Sequence, residues 1–531
     1  MAEIGFIKTG IAGLDAIFLG GIPRANMILV QGSAGSGKTL MGMEFIYRGI
    51  VEDNQNGIIV VFETSPDKVV RDAAQFSWDF EELERQNKLR IVFTSPEVLD
   101  AELRSPDSLL LEMAAEIGAG RIFIDGIGLL RPLPVSDTDA TNGPATYRDR
   151  LQYLLEAMRR ENLTIMFSHE FGKRPEAVST LEAATFLSDT VIELGHDAHA
   201  QVAHRSVEII KSRGQRYIAG RHTLQMIDGK GLEVFRRVQA PDLHPADQPA
   251  SSVKSSLIGV PALDDLVGGG LFDGSTTIVV GISGVGKTVL TTQILLESAR
   301  SGKRVLMVSL DEHPAQIIRN AGTLGLDLKA QMDAGMIHIF YESPQELQID
   351  AHFARILQTI ERFAIQRLVI YGVTSYSTAL EDQRRYRDFF HALVAYAKAH
   401  LITTVFNYEN PELFGISSYM PEFPVNSIVD NIILLSLVEL GSSLHRCIAV
   451  VKARGCKHQR DTREFTIGPG GITLIPVDKG ANPSALSMES YSSILSRAPT
   501  RVSPRRYNGV PRPILPTSPH LLIESGGVVV P

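Results

Sequence analysis

The sequence predicts an α/β protein built from two tandem P-loop domains, each a mostly parallel, twisted sheet covered by helices, with a tail after the second. Three observations predict this. A Gly-x-x-x-x-Gly-Lys-Thr loop occurs twice, and its flanking segments recur at nearly the same shift. Short apolar runs alternate with amphipathic segments, the pattern of strand–loop–helix–strand units.

The first loop is Gly32, Ser33, Ala34, Gly35, Ser36, Gly37, Lys38, Thr39. It returns 249 positions later as Gly281, Ile282, Ser283, Gly284, Val285, Gly286, Lys287, Thr288. Upstream, Gly10-Ile-Ala-Gly-Leu-Asp15 is echoed by Gly259-Val-Pro-Ala-Leu-Asp264. Downstream, Phe62-Glu-Thr-Ser-Pro66 matches Leu310-Asp-Glu-His-Pro314 at a shift of 248, and Lys211-Ser-Arg-Gly214 matches Lys452-Ala-Arg-Gly455 at 241. One duplicated domain with small deletions explains so slow a drift. A solenoid does not, since solenoid periods stop at about 50 residues. The expected domains are 1–240 and 257–478, joined by a linker at 241–256 and followed by a Ser/Pro/Arg-rich tail at 479–531.

In the first copy, 27–30, 57–62, 90–93, 121–124 and 163–167 read as strands, dense in Ile, Val and Phe without polar alternation. That pattern fits a sheet buried on both faces. A helix is expected over 147–160. Residues 496–531 contain seven prolines and read as a flexible tail.

The chain has 531 residues, 44% hydrophobic and 21% charged, the profile of a soluble globular protein. Its net charge of −8 gives no overall attraction to nucleic acid. The two cysteines, Cys447 and Cys456, make no disulfide framework and suit a reducing compartment. No leader pattern is read at Met1, and no apolar run reaches the roughly 18 residues of a membrane span. A cytoplasmic location is expected, without membrane contact.

The glycines of such a loop permit the turn that aims successive amides at phosphate oxygens, and the following helix adds the positive end of its dipole. Lys38 and Lys287 would reach the terminal phosphates of ATP, and Thr39 and Thr288 would bind Mg²⁺. Magnesium also asks for an aspartate at the end of an apolar strand. Asp125, after Arg121-Ile-Phe-Ile, fits that place. The second copy reads Arg367-Leu-Val-Ile-Tyr371, and a neutral phenol is a poor partner for a hard cation. Glu63 is the candidate for orienting or deprotonating water, with Asp311 and Glu312 as its counterparts; each also reads as an acid at a helix N-terminus. Lys211 with Arg213, and Lys452 with Arg454, read either as cations reaching a neighbour's phosphate or as solvated surface charges. His169, closing a strand, reads as a phosphate sensor or an ordinary strand-end histidine.

Taken together, the two loops, Phe62-Glu63, Phe76-Ser-Trp-Asp79, Ile124-Asp125, the two Lys-x-Arg-Gly segments, Asp430-Asn-Ile-Ile-Leu-Leu435 and Arg463-Glu-Phe465 resemble the KaiC family of the circadian clock. The resemblance runs from about residue 5 to 478. It implies RecA-like domains stacked as two six-membered rings, a homohexamer with ATP at subunit interfaces. It further implies a slow ATPase in the first ring and an autokinase in the second. Glu63 would then be the first ring's base, and Lys211 and Arg213 its trans cations. The departures are Thr64, Asp311 and Tyr371. At the family's adjacent Ser-Thr phosphoacceptors stand Asn426 and Ser427, so Ser427 is the one matching acceptor, and Pro421 carries no hydroxyl. The expected function is a regulatory ATPase that hydrolyses ATP in the first domain, binds it in the second with weak or no turnover, autophosphorylation there staying open, and signals to protein partners. The Arg-rich stretch 497–506 of the tail reads either as a docking segment or as a solvated extension. Two rivals remain: a RecA- or RadA-like DNA-dependent motor, and a nucleotide-sensing scaffold without catalysis. Against DNA stands the loop 126–141, where Arg131 alone faces Asp137 and Asp139.

Overall fold

The computed structural model describes residues 5–104, 108–130, 146–171, 175–197, 204–240, 255–380, 382–410, 428–440 and 443–476. The span Met1–Pro476 is one compact unit containing both repeats.

In the first repeat, β1 (Phe6–Ile7) pairs with β2 (Ile22–Pro23). The main sheet is built from β3 (Met27–Gly32), β4 (Asn56–Val61), β5 (Leu89–Phe93), β6 (Ala119–Asp125), β7 (Thr164–Glu170), β8 (Thr190–Asp197), β9 (His204–Ser212), β10 (Arg221–Ile227) and β11 (Gly231–Phe235). Among the described residues its order is β11-β10-β9-β8-β3-β7-β6-β4-β5. The stretch from β8 through β3, β7, β6 and β4 to β5 is parallel. From β8 to β11 it is antiparallel.

The second repeat reproduces this position for position. β12 (Ser255–Ser256) pairs with β13 (Leu271–Phe272). Its main sheet uses β14 (Thr276–Gly281), β15 (Val305–Ser309), β16 (Ile337–Tyr341), β17 (Arg367–Tyr371), β18 (Thr403–Glu409), β19 (Asn431–Leu440), β20 (Ser443–Ala453), β21 (Arg463–Gly468) and β22 (Gly471–Leu474). Its order is β16-β15-β17-β18-β14-β19-β20-β21-β22. This is the predicted α/β architecture.

The central strands are apolar through their middles, where the two faces enter different hydrophobic cores. On β3, Ile28 and Val30 enter one hydrophobic cluster while Met27 and Leu29 enter another, the period-two alternation of a strand between two cores. On β14, Ile278 and Val280 face one core and Val279 the other. Strand ends depart from the sequence reading. β7 continues to Glu170 rather than stopping at 167, since its polar end pairs with Gln31 and Gly32 of β3. β4 stops at Val61, so Phe62 and Glu63 lie beyond it. The helix Tyr147–Arg160 forms where expected and opens with a capping box between Thr146 and Asp149.

The repeated Gly-x-x-x-Leu-Asp segments are structural. Asp15 accepts the amides of Thr9 and Gly10 at 2.7 and 3.1 Å, and Asp264 those of Ile258 and Gly259 at 2.6 and 3.3 Å. Each carboxylate ties the entering chain to the start of its domain.

The two repeats meet through Asp350, 2% exposed in the helix Ile349–Phe363. It accepts from Thr223 of β10 at 2.8 Å and from the amide of Val238 at 3.0 Å, both on the first repeat. Arg385 of the second repeat closes on it at 2.8 Å. A buried charge so surrounded by donors is compensated.

Glu44, fully buried in the helix Lys38–Asp53, accepts from the amide of Leu232 at 2.7 Å. Burial pushes its carboxyl up to about 7, against the pull of that amide and of Arg48. The folded chain therefore holds this proton more tightly than the unfolded chain does. The resulting stability is present below about pH 4.5 and is lost as pH rises through about 7, on the order of 3 kcal/mol in all. Glu44→Gln is expected to flatten the fall in melting temperature between about pH 5 and pH 8; an unchanged slope would remove Glu44 as its cause.

Candidate functional site

Both glycine loops leave a buried parallel strand and enter a helix. Gly37 and Gly286 have φ of +106° and +119°, a conformation that L side chains rarely adopt. They cap the helices Lys38–Asp53 and Lys287–Arg300. The turn aims backbone amides and the positive helix end at one point. Lys38 Nζ donates to the carbonyls of Gly32 and Ser33 at 3.1 and 2.8 Å, and Lys287 Nζ to that of Ile282 at 2.8 Å. Burial pulls both ammonium groups below the usual lysine range, opposed by Glu170 and Asp125 at Lys38 and by Glu409 and Asp311 at Lys287.

Asp125 closes β6 beside the first loop. Thr39 Oγ1 donates to its Oδ2 at 2.9 Å, and Ser168 Oγ to its Oδ1 at 2.6 Å. Ser168 in turn accepts the amide of Gly126 at 2.8 Å. The carboxylate is thus oriented from both sides, and a carboxylate next to a loop threonine is a donor set that suits Mg²⁺.

The second site differs at that point. Tyr371 closes β17, and its hydroxyl lies 2.7 Å from Thr288 Oγ1 and donates to Glu312 Oε1 at 2.5 Å. Burial, then the bond to Glu312, push the phenol far above the usual tyrosine range. It is a neutral group, and neutral phenol does not suit a hard cation. Asp311 sits at the start of the helix Val373–Ala379, held by the hydroxyl of Ser375. Glu63 is exposed in the bend after β4, on the side of the sheet where Val61 pairs with Asp125.

The cation pairs occupy equivalent places. Lys211 Nζ donates to the carbonyls of Thr185 and Phe186 at 2.9 and 3.3 Å, and Arg213 to that of Phe186 at 3.2 Å. Lys452 donates to the carbonyl of Val429 at 2.7 Å, and Arg454 lies 3.7 Å from Asp430. Exposed Ile210 and Val451 precede the two lysines, and Phe186 beside the first pair is 59% exposed. His169 is buried, with its ring nitrogens at the carbonyl of Glu170 and at Thr180. Cys447 and Cys456 are unpaired with each other. Ser427, Asn426, Pro421, the segment 131–141 and the tail lie outside the described residues.

Three features escape the sequence reading: the Ser168 support of Asp125, the Glu409 carboxylate 3.7 Å from Lys287, and the contact of Tyr371 with Glu312. A glutamate closing the strand beside each loop strand is a recurrence visible in the sequence. The register aligns Gly32 with Glu170 and Gly281 with Glu409.

A family model for the KaiC ATPase matches residues 7–239 and 257–479. The chain belongs to the KaiC family. KaiC-family relatives match along most of their length. The circadian clock oscillator protein KaiC of a Picosynechococcus species is 29% identical over 503 residues, 94% of this chain and 93% of the relative. That of Parathermosynechococcus lividus is 29% identical, over 95% of this chain and 90% of the relative. The circadian clock protein KaiC2 of a Synechocystis species is 28% identical, over 92% and 84%. As a KaiC-family protein the chain carries an ATPase domain twice. No helix among the described residues is long and apolar enough to cross a membrane.

Proposed function

We propose that the chain is a regulatory ATPase in which the first repeat hydrolyses ATP and the second holds nucleotide with little or no turnover. The observation that carries this is the difference at one strand end: Thr39 faces the carboxylate of Asp125, whereas Thr288 faces the phenol of Tyr371. In the first site Thr39 and Asp125 would hold Mg²⁺, which supplies charge neutralisation at the phosphates. The loop amides and Lys38 bind and orient those phosphates, and Glu63 positions the attacking water. The exposed apolar residues beside Lys211, Arg213, Lys452 and Arg454 support contact with further copies. A homohexameric double ring would set these cations against a neighbour's nucleotide. The relatives' names point to timekeeping, and signalling to protein partners through nucleotide state fits that reading.

Phosphate release from ATP and magnesium, with and without single-stranded DNA across a salt titration, tests the proposal. Slow release indifferent to DNA is expected. Strong stimulation that fades with salt would favour a DNA motor instead, and no release at all a scaffold.

A further inference from the structure

We infer that the second site takes its nucleotide without a divalent cation, the Tyr371 phenol standing where a metal-holding carboxylate would be. This rests on the reading that the second repeat binds nucleotide, and goes further by naming the ligand's form.

A phenol has one proton. Tyr371 gives its proton to Glu312 Oε1, so its oxygen accepts the proton of Thr288. The loop threonine and the adjacent acid are therefore joined through a neutral bridge. Hard cations bind best where oxygen ligands carry formal charge, and the oxygen that faces Thr288 at this strand end belongs to an uncharged phenol.

One buried donor beside the bridge records the substitution. Asn407 lies opposite Tyr371 in the β17–β18 register, is 2% exposed, and its Nδ2 has no hydrogen-bond partner among the described residues. At the same position of the first repeat, Ser168 donates to Asp125. Buried donors and acceptors are nearly always satisfied, so each exception calls for a cause. A carboxylate at 371 would offer two acceptor oxygens, one for Thr288 and one for Asn407, as Asp125 does for Thr39 and Ser168. The phenolic oxygen serves Thr288 alone and leaves the amide over. The surroundings are built for an acid that the sequence has replaced.

What remains can still hold phosphates. The loop amides, the helix beginning at Lys287 and the Lys287 ammonium supply positive charge without any metal.

Equilibrium binding of ATP to the full-length Lys38→Ala protein, with magnesium and with excess EDTA, tests this. The expected affinities agree within about threefold. In the Lys38→Ala/Tyr371→Asp protein, magnesium should tighten binding by about tenfold or more, because a carboxylate again faces Thr288 and Asn407. Loss of about tenfold or more in affinity when EDTA is added to the Lys38→Ala protein would overturn the inference, and would show that Glu312 takes up the cation. Magnesium-dependent phosphate release from that same protein would instead overturn the division of labour between the repeats.

Discussion

Lys38→Ala is expected to cut phosphate release by the full-length chain about 100-fold or more, while Lys287→Ala is expected to leave it within about threefold. Removing a preorganised charge from the phosphates lowers turnover by about 100- to 1,000-fold when that site performs the chemistry. Lys38 stands in the repeat where Thr39 and Asp125 are paired, so on the proposed assignment its loss would remove the charge that neutralises the transferred phosphate. Lys287 has an equivalent loop and is buried beside Glu409, yet its threonine faces a phenol. Its loss should weaken nucleotide binding and leave the rate almost alone. Steady-state phosphate release from the two proteins decides the matter. Activity that survives Lys38→Ala and disappears with Lys287→Ala would reverse the assignment.

The second large effect concerns stability. Arg121→Met should lower the melting temperature by roughly 6–12 °C, whereas Arg367→Met should leave it unchanged or raise it. Both arginines are completely buried at the start of the strand that leads to the nucleotide site. Arg121 is satisfied: it donates to Gln55 at 2.7 Å, to the carbonyl of Phe45 at 2.9 Å and to Asp53 at 2.5 Å. Its removal forfeits three hydrogen bonds made by a fully buried guanidinium, one of them to the partly exposed Asp53 carboxylate, a loss on the order of 3 kcal/mol in all. Arg367 donates through Nη1 to Ser298 at 2.6 Å and to the carbonyl of Leu257 at 3.4 Å, but its Nε and Nη2 have no partner among the described residues. Burial pulls it down to about 10. Replacing a poorly satisfied buried cation by an apolar side chain of similar length removes a desolvation penalty and leaves no ion-paired carboxylate behind among the described residues. Thermal denaturation of both variants checks the contrast. Equal destabilisation would show that the two arginines are equally well compensated.

The duplicated architecture is legible in the sequence because it is written in backbone requirements. A glycine at a positive φ, a lysine at the helix start and an apolar strand before the loop are each demanded locally. The repeat states the demand twice. Strand identities follow from period-two burial in two cores, as at Met27 to Val30. Contacts between distant segments are not legible in that way. Ser168 is 43 residues from the Asp125 it supports, and Glu312 lies 59 residues from Tyr371. Sheet register brings Ser168 to its partner, and register is a property of the folded sheet. The reading of Tyr371 as a departure from an aspartate comes from the sequence, but not its use as a bridge between Thr288 and Glu312. The repeated Gly-x-x-x-Leu-Asp segments stand out as strongly as the loops, although they only tether the chain. Recurrence marks a shared fold as readily as a shared chemistry.

The proposed unequal use of two equal folds is testable through the nucleotide the protein carries. After incubation with magnesium and radiolabelled ATP, the chain is separated rapidly from free nucleotide, denatured, and its bound nucleotide resolved into ATP and ADP. Comparable amounts of ADP from the first repeat and intact ATP from the second are expected, with the ATP fraction lost in Lys287→Ala. Bound nucleotide recovered almost wholly as ADP, in the parent and in both lysine variants, would contradict a resting second site.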